Sequence, residues 1–318
     1  MPPLIIEMNN VPLSQGDARA LGEVRVHQAL SLPTACELAF YQPEGSMIGG
    51  GEVQPGTVLR IRIQDQSPLL FDGEVTAVIH EYGPMGERLV RIRGYDLLHR
   101  LRKRQPVRSH IQLNLFELAR ILVADLGISV SAQDPGLVRE EVFQHGQSDL
   151  DLLIEASSRF GRYFTLRPPV LSLLSLEGIG TTVPLHLGQS LIEAQIEVNA
   201  EAACSSIEVQ GWDPRRTATV IGFADRARSS RNISTGVFPE QVGGRPERTI
   251  VDVLAQNDAQ AARMAQAELD HRTARAVVFH GIAEGNPSLR PGTPVEIGGL
   301  ARALSGNYVL TAVRHVID

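Results

Sequence analysis

Asp149 and Asp151, two residues apart, are the first candidates for acid–base chemistry in this sequence. They open the stretch DLDLLIEASSRF, whose apolar spacing predicts a helix, and a helix points residues two apart in different directions. Ser148 is suited to cap that helix, Asp151 occupies the third helical position, and both aspartates favour the positive end of the helix dipole. Because capping explains both carboxylates, we expect no catalytic pair here.

Motifs for metals, phosphates and nucleophiles are missing from the sequence. The 9 histidines are dispersed without an HxxxH or HExxH spacing, and Cys36 and Cys204 lie too far apart for a zinc knuckle. Neither the glycines at 49–51 nor those at 243–244 lead into a helix with a lysine, and no GxSxG elbow occurs. We therefore expect no enzymatic activity, no metal and no cofactor.

The densest positive patch is the run RLRKRQPVR, whose cations are Arg100, Arg102, Lys103, Arg104 and Arg108. One interpretation is a solvated helix end, where cations complement the helix dipole. The other is a contact with an acidic partner or with nucleic acid. No aromatic residues are interleaved for base stacking, and the formal net charge of −6 disfavours a dedicated nucleic-acid binder.

Trp212, in the stretch VQGWDP, is the single tryptophan of the chain. We expect it to be a buried packing residue beside a turn. The alternative is that its ring forms a platform for binding a sugar.

Length and composition indicate a chain of two or three domains with proper cores. The 318 residues are 43% apolar and 21% charged, and no apolar run reaches the length of a membrane span. The N-terminal stretch MPPLIIEMNN lacks the features of a signal peptide. We expect synthesis in the bacterial cytoplasm without export.

One stretch of the chain occurs twice. QPGTVLRIRIQDQSPLLFDGEVTAVIH has a counterpart in RPGTPVEIGGLARALSGNYVLTAVRH, near the end of the sequence. Both begin with a turn, at Pro55 and Gly56 in the first copy and at Pro291 and Gly292 in the second, and both end in a TAVxH strand. The pattern predicts one β-hairpin unit used twice, and hence two similar β domains. Two unrelated hairpins that share common turn chemistry are the alternative.

Period-two alternation predicts β structure over residues 1–95. Leu59, Ile61 and Ile63 alternate with Arg60 and Arg62, which is typical of a half-buried strand. Helical spacing with capping residues predicts helices over 96–104, 114–126, 149–160 and 257–272. Residues 170–223 return to β structure, and the polar stretch 224–248 predicts a long loop.

The order of these pieces resembles the baseplate hub of contractile injection systems. That family includes the phage late control D proteins, the T-even phage hub and the N-terminal hub region of VgrG proteins. The most specific match is QSDLDLLIEASSRFGRYF at 147–164, and FDGEVTAVIHEY, GYDLLHRL, IEVQGWDP and GNYVLTAVRH follow the family order. VgrG proteins continue into a spike domain, whereas this sequence stops at Asp318, so we expect a hub whose spike is a separate polypeptide.

The resemblance implies a β-rich α+β fold with two tube-protein-like β-barrels related by internal duplication and an α/β insertion between them. Their predicted limits are 1–95, 96–190 for the insertion, and 191–318 with the loop 224–248 and the packed helix 257–272. The implied assembly is a homotrimer that forms a pseudo-six-fold ring between a hexameric tail tube and a trimeric spike, within a phage tail, tailocin or injection-system particle. Other baseplate proteins would be neighbours, and nucleic acid would meet the lumen only incidentally.

On this interpretation, two groups of residues are candidate contacts. The basic run would face the lumen or a partner. The predicted spike or trimer interface lies near the end of the chain, at Tyr308, Leu310, Val313, His315 and Ile317. Two functions of other classes remain open, namely a tail-associated cell-wall hydrolase and a nucleic-acid-binding module built on the basic run.

Overall fold

The computed structural model of the chain describes residues 4–201, 204–213, 216–228, 247–253, 255 and 257–318. The helices in these ranges are α1 (Gln15–Ala20), α2 (Leu115–Leu122), α3 (Asp149–Ser158), α4 (Asp258–Ala274) and a 3-10 helix at Leu97–Lys103. The strands are β1 (Leu4–Met8), β2 (Val11–Pro12), β3 (Leu21–Ala29), β4 (Ala35–Tyr41), β5 (Val58–Ile63), β6 (Phe71–Tyr82), β7 (Arg88–Tyr95), β8 (Arg108–Leu113), β9 (Ser129–Ala132), β10 (Arg139–Gln144), β11 (Tyr163–Arg167), β12 (Val170–Leu174), β13 (Val183–His186), β14 (Leu191–Val198), β15 (Ser206–Asp213), β16 (Ala218–Ala224), β17 (Glu247–Val253), β18 (Val277–Ala283), β19 (Pro294–Gly298), β20 (Gly306–Val309) and β21 (Ala312–Ile317). The chain is therefore β-rich, as the sequence predicts.

The largest sheet has eight strands in the order β2-β1-β5-β6-β7-β4-β3-β21. The alternation predicted for β5 is confirmed, because Leu59, Ile61 and Ile63 are buried and Arg60 and Arg62 are not. The buried face of the sheet encloses a continuous apolar core, around which the sheet curls into a half-barrel. Burial of this apolar face is what sets the register of the strands.

Strand β21 joins this sheet from the far end of the sequence. It pairs antiparallel with β3, from Ala312 opposite Ala29 to Ile317 opposite Val24. The amide of Leu30 extends the pairing by donating to the carbonyl of Thr311 at 2.9 Å. Residues that are distant in sequence are thereby tied into one sheet.

The middle of the chain combines helices α2 and α3 with the small sheets β10-β8 and β11-β12-β9. The capping residues predicted from the sequence are confirmed: Asn114 with Glu117 on α2, and Ser148 with Asp151 on α3, each form a reciprocal capping box. The helix predicted over 96–104 is a 3-10 helix, which begins after its N-cap Asp96. The helix predicted over 114–126 ends at Leu122, and its leucines pack into the second apolar core.

The last helix, α4, covers one face of the sheet β16-β15-β17, and the side chain of its predicted cap, Asn257, accepts from the amide of Gln260. Helix and sheet approach closely at Gly222, where an added Cβ would lie 2.0 Å from the Ala261 carbonyl carbon. Only glycine fits at that point, so the alanine-rich helix packs tightly on the sheet as expected.

The strands between Val183 and Val309 are divided among the sheets β13-β19-β20, β14-β18 and β16-β15-β17. The first two share an apolar core that includes Leu185, Leu191 and Val295. Two pairings cross the predicted domain limits, since β13 pairs with β19 and β21 pairs with β3.

The predicted loop 224–248 is framed by two strands. Its first residue, Ala224, ends β16, and Glu247 begins β17. Residues 229–246, which make up most of that prediction, lie outside the described residues.

Candidate assembly surfaces

The two Pro-Gly-Thr hairpins have the same local geometry. Gly56 and Gly292 both adopt a positive φ, of 96° and 84°. Gly56 donates from its amide to the carbonyl of Val75 at 2.8 Å, and Gly292 donates to the carbonyl of Leu310 at 2.7 Å. The reverse bonds, from Val75 to Thr57 and from Leu310 to Thr293, are also present.

The strand registers of the two hairpins agree as well. Val58 pairs with Glu74 in the first hairpin, and Pro294 pairs with Val309 at the matching positions of the second. Beyond these pairs, the courses of the two hairpins differ. In the first, β6 continues past an irregularity between Val75 and Ala77 and stays in its sheet. In the second, the chain leaves its sheet after Val309, and β21 pairs with β3 instead.

The five predicted interface residues near the end of the chain lie at least partly inside the protein. Tyr308 is buried, and its hydroxyl donates to the carbonyl of Leu304 at 2.9 Å. Leu310 and Val313 pack against the core that contains Tyr308, whereas Ile317 packs against the core of the eight-stranded sheet. The ring of His315 lies 3.1 Å from the Leu289 carbonyl, and burial is the main cause that lowers its pKa.

The opposite face of β21 is the exposed one. Ala312, Arg314 and Val316 alternate with the half-buried residues and face solvent. Because β21 is the end strand of its sheet, its second edge has no partner strand among the described residues. An exposed strand edge of this kind is available for pairing with another chain.

The basic run is largely occupied by contacts within the chain. Arg100 forms hydrogen bonds with both carboxylate oxygens of Glu74, which lower the pKa of that carboxyl group. Arg102 lies over the ring of Tyr95, 5.2 Å from its centroid. Lys103 is exposed and forms no hydrogen bond, ion pair or ring contact with another described residue, but its charge also helps to lower the pKa of Glu74.

The two remaining arginines of the run connect the elements of the middle part. Arg104 donates to Asp125 at 3.0 Å. Arg108 donates to Gln144 at 3.1 Å and to Asp149 at 2.9 Å. These contacts favour the structural interpretation of the run over a nucleic-acid surface.

The sequence predicts that helix capping explains both Asp149 and Asp151. The structure corrects this prediction, because the two carboxylates have different roles. Asp151 completes the capping box with Ser148. Asp149 is buried and instead receives hydrogen bonds from Arg108 and Gln144. Within the described ranges, no group of three or more histidine, cysteine or carboxylate side chains is arranged to hold a metal ion.

Trp212 is exposed, and the prediction of a buried tryptophan is wrong. The residue is 51% exposed because Ile207 and Val209 of the same strand face the core and the pleat turns Trp212 to the opposite side. It lines a cleft of about 390 Å³ between the α3–β10 region and the β15–α4 region, together with Arg139 and Phe143. No spacing in the sequence indicates that these residues meet.

A second contact that sequence reasoning missed is the clamp on the later Pro-Gly turn. Arg167, at the end of β11, donates to the Pro291 carbonyl at 3.2 Å and to the Thr293 hydroxyl at 3.1 Å. The neighbouring Arg290 is buried, and burial is the main cause that lowers its pKa to about 10. The clamp fixes the second hairpin to the middle part of the chain.

In the parts of the chain that the structure describes, no helix has both the length and the apolar character needed to cross a lipid bilayer.

Several solved structures share this fold. The 43 kDa tail protein of prophage MuSo2 from Shewanella oneidensis matches at a TM-score of 0.74 with 13% identity, over 98% of this chain and 93% of that one. A tail protein from Neisseria meningitidis MC58 matches at 0.72 with 12% identity, over 99% and 91%. The E. coli c3393 protein, described as a type VI secretion component with structural similarity to the T4 phage tail proteins gp27 and gp5, matches at 0.62 with 12% identity, over 98% and 72%. The predicted resemblance to baseplate hub-like proteins is thus confirmed at the level of the fold.

A search of curated proteins finds no match to the sequence. A family model described as the Alg8 N-terminal domain matches residues 48–318. Because that match spans most of the sequence, the chain belongs to the Alg8 N-terminal domain family.

Proposed function

We propose that this protein is the structural baseplate hub of a contractile tail or injection system, where it joins a hexameric tail tube to a trimeric spike. The observation that carries the proposal is the likeness to phage tail proteins over nearly the whole chain. The role is mechanical, so the relevant chemistry is buried interface area and strand pairing. Its particle would be a phage tail, a tailocin or a related secretion machine, with other baseplate proteins as neighbours.

The proposed assembly is a homotrimer whose chains each contribute two similar β modules. Three chains would then present six modules in a ring, which matches a six-fold tube to a three-fold spike. The shared turn geometry and register of the two Pro-Gly-Thr hairpins support a duplication of this kind. On this proposal residues 1–95 and 191–318 build the ring, and residues 96–190 form its α/β flank.

We place the contact with the spike or a neighbouring protomer at β21. The residues available for it are the exposed Ala312, Arg314 and Val316, since the alternate residues pack within the chain. The second edge of this strand, which pairs with no described strand, adds a row of backbone donors and acceptors. A partner strand or loop on this side would bury that edge and the Val316 side chain.

Neither alternative function gains support from a particular site. The intrachain contacts of Arg100, Arg104 and Arg108 leave little of the basic run for a nucleic acid. A tail-associated hydrolase would need a pair of acidic catalytic residues facing a substrate cleft. Asp149 is instead buried against Arg108. Glu140 and Glu141 do line the cleft beside Trp212, but adjacent residues of one strand point to opposite faces and do not form an opposed pair. A turbidity assay on peptidoglycan tests the hydrolase directly, and clearing of the suspension would overturn the purely structural role.

The test of the hub is the mass of the purified chain in solution, measured by light scattering behind a sizing column, alone and with a candidate trimeric spike protein. A trimer, alone or with the spike, supports the proposal. A stable monomer that binds neither the spike nor the tube protein contradicts it. Val316→Asp places a charge on the exposed face of β21 and should abolish assembly. Met85→Asp is the matched control, because Met85 is 88% exposed in the loop between β6 and β7.

A further inference from the structure

The cleft lined by Trp212 contains an arginine that forms no ion pair with a described residue. Arg139 stands at the start of β10 and is half-buried. No carboxylate of the described residues lies within ion-pair distance of its guanidinium. The two other arginines that line the cleft do have partners, since Arg159 bonds to Glu155 and Arg216 lies 3.6 Å from Asp213.

The surroundings of Arg139 make an unpaired positive charge at this position unfavourable. Burial is the main cause that lowers the pKa of its guanidinium, the positive charge of Arg159 acts in the same direction, and Glu155 opposes both. An arginine does not lose its proton at neutral pH, so the charge persists in the cleft. A carboxylate that entered the cleft would therefore meet a cation that has already lost part of its hydration, and the planar guanidinium can hold both carboxylate oxygens.

Aromatic side chains flank this cation and are open to solvent. Phe143 is 57% exposed and Trp212 is 51% exposed, and both line the same cleft. They come from different parts of the fold, β10 and β15, so a ligand between them would contact both. Exposed aromatic residues beside an arginine are typical of the centre of a protein–protein contact.

We propose that this cleft binds an extended segment of a partner protein in which an acidic side chain, held by Arg139, adjoins an aromatic side chain that packs on Phe143 and Trp212. Charge complementarity at Arg139 selects the acidic side chain, because this half-buried cation forms no ion pair with a described residue and its neighbours Phe143 and Trp212 offer apolar faces. Glu140 and Glu141 line the same cleft, so the segment should carry its one carboxylate at Arg139 and neutral groups elsewhere, and a nucleic acid with a phosphate at every nucleotide is disfavoured. The inference depends only on the cleft, so it stands or fails independently of the hub function.

Trp212 makes the experiment direct, because the chain has 1 tryptophan and excitation at about 295 nm reports on this site alone. The full chain is titrated with acetyl-Phe-Glu-Phe-amide and, separately, with acetyl-Phe-Gln-Phe-amide. We expect a saturable change in tryptophan emission, with affinity for the glutamate peptide about tenfold higher than for its glutamine analogue. That preference should shrink as salt is raised.

The variant Arg139→Gln should remove the preference for glutamate while leaving weak binding of both peptides. Arg139→Lys keeps the charge without the planar fork and should retain part of the preference. Arg302→Gln is the control, because Arg302 is exposed and does not line the cleft, and it should behave as the unmodified protein. Equal affinities for the two peptides, an undiminished preference in Arg139→Gln, or no saturable change up to roughly 10 mM peptide would each overturn the proposal.

Discussion

The guanidinium of Arg108 donates a 2.9 Å hydrogen bond to the carboxylate of Asp149, whose side chain is only 1% exposed. Arg108 belongs to β8 and Asp149 to the first turn of α3, so the bond joins the basic run to the helix. Gln144 of β10 donates to the same carboxylate oxygen at 2.9 Å. One buried carboxylate thus fixes two strands and a helix in place.

Asp149→Asn should lower the free energy of unfolding by about 2 kcal/mol, because it removes the charge that compensates Arg108 and offers an amide where acceptors are needed. Denaturant unfolding measures the change. Asp125→Asn is the control: Asp125 pairs with Arg104 but is 68% exposed, and its loss should cost less than about 0.5 kcal/mol. Equal effects of the two substitutions would contradict the structural role given to Asp149.

Gly222→Ala should be among the most damaging small substitutions in the chain. The added methyl group would overlap the backbone of α4 at Ala261, so the helix must move away from the sheet, at a cost of about 3 kcal/mol or more. Gly285→Ala supplies the comparison, since no atom of the described residues lies within 4 Å of its added Cβ. Thermal melting should separate the two variants clearly, and similar melting temperatures would argue against close packing of α4.

The two turn glycines should differ in sensitivity although their geometry agrees. Gly56→Ala meets open space and should cost about 1 kcal/mol, which reflects its positive φ alone. Gly292→Ala carries the same backbone strain and also brings its Cβ to 2.8 Å from a methyl carbon of Leu174. Gly292→Ala should therefore lower the free energy of unfolding more than Gly56→Ala does. Unfolding curves in urea test the order, and the reverse order would rule out this account.

Asp96→Asn should destabilise the protein and change its response to pH. The two carboxylate oxygens accept from the amides of Thr34 and Leu98, and an asparagine can satisfy only one of them, at a cost of about 1–3 kcal/mol. The carboxyl group is buried, and this desolvation raises its pKa to about 6 from 3.8.

The direction of the pH effect follows from that shift. A carboxyl group whose pKa is raised in the folded state binds its proton more tightly there than in the unfolded chain. Its contribution to stability is fully present below about pH 4 and is lost as the pH rises through about 6. The stability difference between the unmodified protein and Asp96→Asn should therefore be greater at pH 4 than at pH 7.5. A difference that does not vary with pH would refute the raised pKa.

Local patterns in the sequence predicted local structure well. Alternation at Leu59, Ile61 and Ile63 identified β5, and the capping residues Asn114 and Ser148 placed the starts of α2 and α3. These features depend on residues a few positions apart, so a single sequence contains the whole signal.

Features that depend on long-range pairing were not predictable in this way. Nothing in the sequence of β21 indicates that it pairs with β3, since an exposed edge accepts any strand of suitable length and pattern. The cleft was unpredictable for the same reason, because Arg139 and Trp212 are far apart in sequence and come together only through packing. The exposure of Trp212, by contrast, was predictable, because the alternation from Ile207 and Val209 already places it on the outer side of β15.

The pairing of β21 with β3 also sets an order of events during synthesis. Strand β3 leaves the ribosome early, but the strand that covers its edge is made near the end of the chain. Until then the edge of β3 is uncovered, and the long loop between the paired strands must close before β21 becomes the end strand in its place. Translation that stops short of Ala312 would thus release a chain prone to join its edges with those of other unfinished chains.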